Sequence, residues 1–230
     1  MPVETEVKQI ELLALTTGDL LERFGSGGHK PGSGSGAALV GVLSAKFIIT
    51  VISLTLEREA YQAAWAELQF LRDRIIKAHE PRLKELVQLD ADQFDRVVRA
   101  RQTRDAKPGE RRLRDTALEE LRIATDFPIE IAEISVELGR IASRVFDVGF
   151  KSARGDSGLA ISAAISAASS ALFITFLNLK SFRSGDWAVI TKLKADNLLR
   201  EVLDLQSEQF RRVTRLQVET SEANQLELQL

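Results

Sequence analysis

The chain has 230 residues, 44% of them hydrophobic, with only five prolines, which argues against disorder and supports a sizeable core. Its 31 basic and 33 acidic residues give a net charge of −2, leaving no dominant basic face for a phosphate backbone, so nucleic acid is not an expected partner. The absence of cysteine excludes disulfides, thiolate nucleophiles and cysteine-ligated metals, and two histidines, His29 and His79, leave a metal site unsupported.

In chain order, Met1 to Gln9 lacks a basic stretch followed by an apolar one, so a cleaved leader is not expected and a cytoplasmic location is. Thr16 or Thr17 can cap a short helix carrying Leu20, Leu21 and Phe24, which Gly25 stops. The run Lys30-Pro31-Gly32-Ser33-Gly34-Ser35-Gly36 then opens into an apolar helix expected over about Ser35 to Leu56. A glycine-serine loop in that position presents free N–H groups at the positive end of a helix, where an anionic group can bind. The same residues would equally serve as a turn and N-cap. They satisfy neither G-x-x-x-x-G-K-[ST] nor G-x-G-x-x-G, and no strand precedes them, so nucleotide chemistry is rejected.

From Glu57 to about Gln102 the period is helical, with Tyr61, Trp65, Leu68, Leu71, Ile75 and Ile76 on one side, and Pro81 is expected to kink or restart the helix. After Lys107-Pro108-Gly109 another amphipathic stretch runs through Leu113, Leu121, Ile131, Leu138 and Ile141, and Pro128 is expected to interrupt it. Gly149 to Gly155 reads as a loop, with Asp156 as N-cap of a second apolar helix ending near Phe182. Arg183 to Asp186 reads as a turn. Asp186 would cap a final helix running from Trp187 into the 210s, with a polar tail from about residue 218. No stretch alternates with β period. The expectation is one all-α domain spanning the chain, an up-and-down bundle of about six helices.

Gly36–Leu56, with Lys46 as its single charge, and Ser157–Leu179, with none, are both long enough to span a bilayer. Their richness in Gly, Ala and Ser, and the charged amphipathic helices around them, favour buried core helices over membrane spans.

Four polar residues stand out against this pattern. Leu83, Leu86, Val87, Phe94 and Val97 mark an apolar stripe that includes Asp90, while Asp92 and Asp95 point away from it. A carboxylate on a buried face costs several kcal/mol, roughly, unless paired, so Asp90 is either functional or a structural partner of Arg82 or a neighbouring helix. Lys46, mid-helix among apolar residues, either snorkels to the bundle edge or joins Asp90 as partner or anion site. Asp156 reads most simply as a cap. Asn178 must find partners if buried.

The order of these features resembles the cyclodeaminase/cyclohydrolase family of folate enzymes. The family's Pro-Gly-Gly-Gly-Ser loop is matched by Pro31-Gly32-Ser33-Gly34-Ser35, and its Asn-Leu-Thr and following Tyr by Ser53-Leu54-Thr55 and Tyr61. Asp90-Ala91-Asp92-Gln93-Phe94 with Ala100 matches its acidic motif, and Ala124, Phe127-Pro128-Ile129, Ile131, Ala132 and Glu133 match the next. Gly149, Asp156 and Asn178-Leu179 complete the pattern, so that matches cover roughly residues 18 to 183. Several polar family positions are replaced: Ser33 for glycine, and Ser53, Phe150 and Ile174 for asparagine, while Lys46 stands for a small or apolar residue.

The resemblance implies a helical bundle that forms a homodimer, with a folate site beside the loop and the dimer interface. It implies Asp90 as the catalytic residue and Gly32, Ser33, Gly34, Ser35, Tyr61, Asp156 and Asn178 as substrate-binding, with Lys46 counted beside them as an anion contact. The substrate would be a tetrahydrofolate derivative, with no prosthetic group. The expected reaction is hydrolysis of 5,10-methenyltetrahydrofolate to 10-formyltetrahydrofolate, or the related formimidoyltetrahydrofolate cyclodeamination. The alternative is a non-catalytic or repurposed dimer of the same fold, its pocket filled by Phe150 and Ile174.

Overall fold

The computed structural model describes residues 11–182 and 185–227. Among them there is no strand, and seven α-helices form six rods: α1 (Thr17–Gly25), α2 (Ser33–Leu56), α3 and α4 (Trp65–Arg74 and Glu80–Ala106), α5 (Arg111–Val148), α6 (Arg154–Leu179) and α7 (Asp186–Glu227). Thr16 caps α1, its hydroxyl accepting the Asp19 N–H at 3.1 Å. The six-rod all-α architecture is the one expected from the helical periods.

Pro81 marks a restart of its helix, as expected, whereas Pro128 does not interrupt its own. Pro81 does not break its rod: α3 and α4 are joined through the wider turn Ile75–His79, with i→i+5 geometry, and Pro81 sits in the first turn of α4. The backbone is helical on both sides of Pro81, so its missing N–H leaves one carbonyl of the wide turn without a helical donor. Pro128 lies inside an unbroken α5. Its ring removes one backbone bond, but Ile129, Ile131 and Ala132 are all buried in the same stretch, and this packing holds the helix through the defect. Asp156 is not an N-cap either, because α6 starts two residues earlier at Arg154, after a short turn over Lys151–Ala153. Asp186 is the first residue of α7, and α7 continues to Glu227, beyond the 210s. Arg183 and Ser184 of the expected turn lie outside the described residues.

The apolar helices α2 and α6 run antiparallel through the centre. Ser44 Oγ donates to the Ala160 carbonyl at 2.8 Å, and the Phe150 N–H just before α6 donates to Thr55 Oγ1 at 2.9 Å. Ala38, Ala45, Ala160, Ala164 and Ala168, all fully buried, bring the two backbones close. Around that seam Ile48, Ile52, Leu83, Leu86, Ile131, Leu138 and Ile161 fill the core, each contributing about 1.5–3 kcal/mol of burial. Each of the two apolar helices is long and apolar enough to cross a membrane, and half of its most apolar window is buried inside the bundle. Their outer faces carry exposed Leu43, Leu159, Phe173 and Leu177.

Candidate active site

At its N-terminus α2 begins at Ser33, with Gly32 as an extended N-cap whose missing side chain leaves the first N–H groups without a side-chain acceptor of their own. The acceptor is supplied by α4. Asp90 Oδ2 takes the Ser35 N–H at 2.8 Å and the Ser35 hydroxyl at 3.2 Å, and all of these atoms are buried. The anion at this helix end is therefore a side chain of the protein, on the positive pole of the α2 dipole. Arg82, the partner considered for Asp90 from sequence, instead grips Glu130 with two bonds of 2.6 and 2.8 Å.

Burial pushes the Asp90 carboxyl above the ordinary carboxylate pKa, and the two bonds from Ser35 pull back only in part. A carboxyl so placed is poised to exchange a proton closer to neutrality than a solvated aspartate. Gly34 makes this approach feasible: a Cβ there would overlap the Asp90 carboxyl group itself. The glycine is required by contact, not by backbone angle, since no positive φ occurs in Gly32–Gly36.

The loop leading into α2 is strapped to the same stretch of α4. Lys30 Nζ meets Asp92 Oδ1 at 2.5 Å, and His29 Nε2 meets Asp95 Oδ1 at 3.0 Å. Gln88 adds a bond to Asp92 at 3.1 Å while accepting the Leu12 N–H at 2.9 Å. Asp92 and Asp95, which point away from the apolar stripe as the spacing requires, thus fix the loop that carries Gly32 to Ser35.

A second polar cluster forms at the other end of α2. Tyr61, in the short turn Glu59–Ala64, accepts the Lys151 N–H at 3.1 Å, and its ring meets Phe150 edge-on at 6.1 Å. The Arg58 guanidinium lies over the Phe150 ring, 3.8 Å from its centre. Thr55 accepts the Phe150 N–H, and a Cβ on Gly149 would come within 2.5 Å of the Val145 carbonyl and 3.2 Å of the Thr55 hydroxyl. Asp156, half-buried in the first turn of α6, belongs to this end.

The expected site residues therefore separate. From Gly34 to Thr55 the α2 axis rises about 31 Å at 1.5 Å per residue, so Asp90 with Gly32 to Ser35 stands at one pole and Tyr61, Phe150 and Asp156 at the other. Asn178 and Ile174, both half-buried, lie near the end of α6 that the antiparallel packing carries toward the Asp90 pole. Phe150 and Ile174 do not close one cavity together: about 30 Å of α6 separates Ile174 from the Phe150 end. Lys46 is placed with neither pole. It lies about 18 Å along α2 from Gly34 and pairs with the buried Glu80 at 2.6 Å, which Lys84 also meets at 2.6 Å.

Two contributors escaped the sequence reading. Glu80 as the partner of Lys46 is 34 positions away, and Arg58 stacked over Phe150 is 92 positions away, so no local spacing pointed to either.

Comparison with known proteins gives three results. The family pattern described as formiminotransferase-cyclodeaminase matches residues 16–197. A methenyltetrahydrofolate cyclohydrolase of Methylorubrum extorquens is 25% identical over 182 residues, covering 79% of this chain and 87% of that protein. The crystal structure of a formiminotetrahydrofolate cyclodeaminase from Thermotoga maritima superposes with a TM-score of 0.79 at 14% identity, covering 89% of this chain and 98% of the other, which establishes the likeness of fold.

Proposed function

The chain belongs to the formiminotransferase-cyclodeaminase family, and from that premise we propose that it acts on a one-carbon-substituted tetrahydrofolate with Asp90 as its proton-transfer residue. Of the family's two reactions we favour hydrolysis of 5,10-methenyltetrahydrofolate to 10-formyltetrahydrofolate, the activity named for the Methylorubrum relative. The observation that carries the reading is the buried Asp90 carboxyl on the α2 N-terminus, with its pKa raised by burial.

The methenyl bridge of such a substrate is a cationic carbon flanked by two nitrogens. Asp90, ionised, would stabilise that cation and take a proton from the water that attacks it. Its bonds to Ser35 would hold one oxygen still while the other faces the reacting atoms. Protonated Asp90 could then return the proton to the nitrogen that leaves as the bridge opens, so that one group serves both steps. In cyclodeamination the same group would transfer protons while a formimino nitrogen departs as ammonia and the ring closes.

Tyr61, Asp156 and Asn178 are assigned to substrate binding. One folate cannot touch both poles of a single chain, because they stand about 31 Å apart along α2. We therefore assign the site to a homodimer in which the exposed apolar faces of α2 and α6 meet across a two-fold axis, so that the Asp90 pole of one subunit faces the Tyr61 pole of its partner. Leu43, Leu159, Phe173 and Leu177 would be covered by that contact.

Purified protein should hydrolyse methenyltetrahydrofolate faster than buffer, followed by the loss of substrate absorbance, and Asp90→Asn should remove the excess rate. Wild-type protein inert toward both the methenyl and the formimino substrate would overturn the assignment. The Arg58–Phe150 stack favours a second reading, a binding or scaffold dimer whose pocket has been given up to packing. In that case folates would give no thermal shift, whereas an intact site stabilises the fold as ligand rises above its Kd.

A further inference from the structure

The near-neutral balance of the whole chain hides a local excess. Residues 96–115, the facing ends of α4 and α5 with the turn between them, hold eight basic and three acidic side chains, a net charge of +5 in a chain of net −2. Seven of the eight are arginines. Three are held by neighbours: Arg99 pairs with Asp95, Arg104 with Asp105 at 2.8 Å, and Arg111 with Asp115 at 3.8 Å. Arg96, Lys107, Arg112 and Arg114 are exposed and Arg101 is half-buried, and none of these five forms an ion pair with any described residue.

The two helices are packed together at the base of this tip. Val97, Leu121 and Ala124 form a small core of their own, backed by Phe94 and Phe182. From Arg96 to Ala106 α4 rises about 15 Å, so the cations are spread over a length that exceeds any single carboxylate or phosphate group.

We propose that this α4–α5 hairpin tip is a docking surface for an acidic segment of another protein. Arginine forks match carboxylates with paired hydrogen bonds, and each planar guanidinium gives up less side-chain freedom per hydrogen bond than an ammonium does. No aromatic residue occurs between Phe94 and Phe127, so stacking of unpaired bases has no platform here. Of the large apolar side chains on the hairpin only Leu118 is exposed, at 38%, too little to enter a lipid surface. The partner is thus distinguished by carboxylate density, not by an apolar anchor.

The test uses the full chain and fluorescently labelled poly-L-glutamate as probe, with a DNA duplex and phosphatidylserine vesicles as comparators, at about 50 mM and about 200 mM salt. The expected result is saturable binding of poly-L-glutamate that weakens with salt. A variant carrying R96Q, K107Q, R112Q and R114Q should bind at least about tenfold more weakly while keeping the wild-type melting temperature. No binding by the wild type, unchanged binding by the variant, or tighter binding of the duplex or the vesicles would each overturn the proposal. A folate also carries a glutamate tail, but the variant leaves Asp90 and Gly32 to Ser35 unchanged, so loss of binding in it together with retained folate hydrolysis separates this proposal from the catalytic assignment.

Discussion

The two poles of α2 use the same kinds of atoms to opposite ends. At the C-terminal pole three side chains close on the protein itself: Thr55 on the Phe150 backbone, Tyr61 on the Lys151 backbone, Arg58 on the Phe150 ring. At the N-terminal pole a carboxyl is held where its charge is poorly solvated, and the bonds from Ser35 offset that cost only in part. A pole whose groups are mutually satisfied contributes stability, whereas one that keeps an incompletely compensated acid retains reactivity.

The sharpest way to break this contrast is Gly34→Ala. The added methyl would displace the Asp90 carboxyl, so unfolding in urea should show a loss of about 3 kcal/mol, from overpacking, together with loss of any activity toward folate. Asp90→Asn should separate the two properties. Activity on methenyltetrahydrofolate should fall by about 10²-fold or more, as for removal of a general base, while the melting temperature at neutral pH holds or rises.

The direction follows from linkage. The folded pKa of Asp90 lies above its unfolded value, so between the two the folded state holds more proton and stability declines as pH rises. Wild-type protein should therefore lose a small increment of stability over that window that the Asn variant does not lose. The rate should rise with pH through the raised pKa. A profile flat through the acid range would remove Asp90 from the chemistry.

At the opposite pole, Phe150→Ala should cost about 2–3 kcal/mol through the lost ring contacts with Arg58 and Tyr61. If the pole has been given up to packing, kcat will be unaltered. If Tyr61 and Asp156 serve the substrate, KM will rise, which steady-state kinetics distinguishes. The smallest effect is expected at Lys46→Met, which leaves Glu80 still paired with Lys84. Because Lys46 is half exposed, the loss should stay within about 1 kcal/mol, with kcat unchanged. Glu80 itself is held below its ordinary pKa of 4.5: burial opposes the ionised form, but the two lysines outweigh it. The stability it contributes is present above that value and should fade as acid titrates the carboxylate through its lowered folded pKa.

The chain's own pattern determined a good deal. The 3.6-residue period in every long stretch specified an all-α bundle, and the apolar stripe around Asp90 already located that carboxylate on a buried face. The glycine-serine run pointed to a helix N-terminus ready for an anion. These are local properties, set by side chains a few residues apart on one helix.

Tertiary packing decided the rest. It supplied the anion from α4, 55 positions after Ser35, and made Gly34 a matter of space rather than of backbone freedom. It carried α5 through Pro128 because burial on both sides outweighs one missing backbone bond. It assigned Lys46 to Glu80, and it parted Asp90 from Tyr61 by the length of α2. A period along a helix states which face is buried. It does not state which end of which neighbour that face meets, because the meeting depends on how whole helices pack.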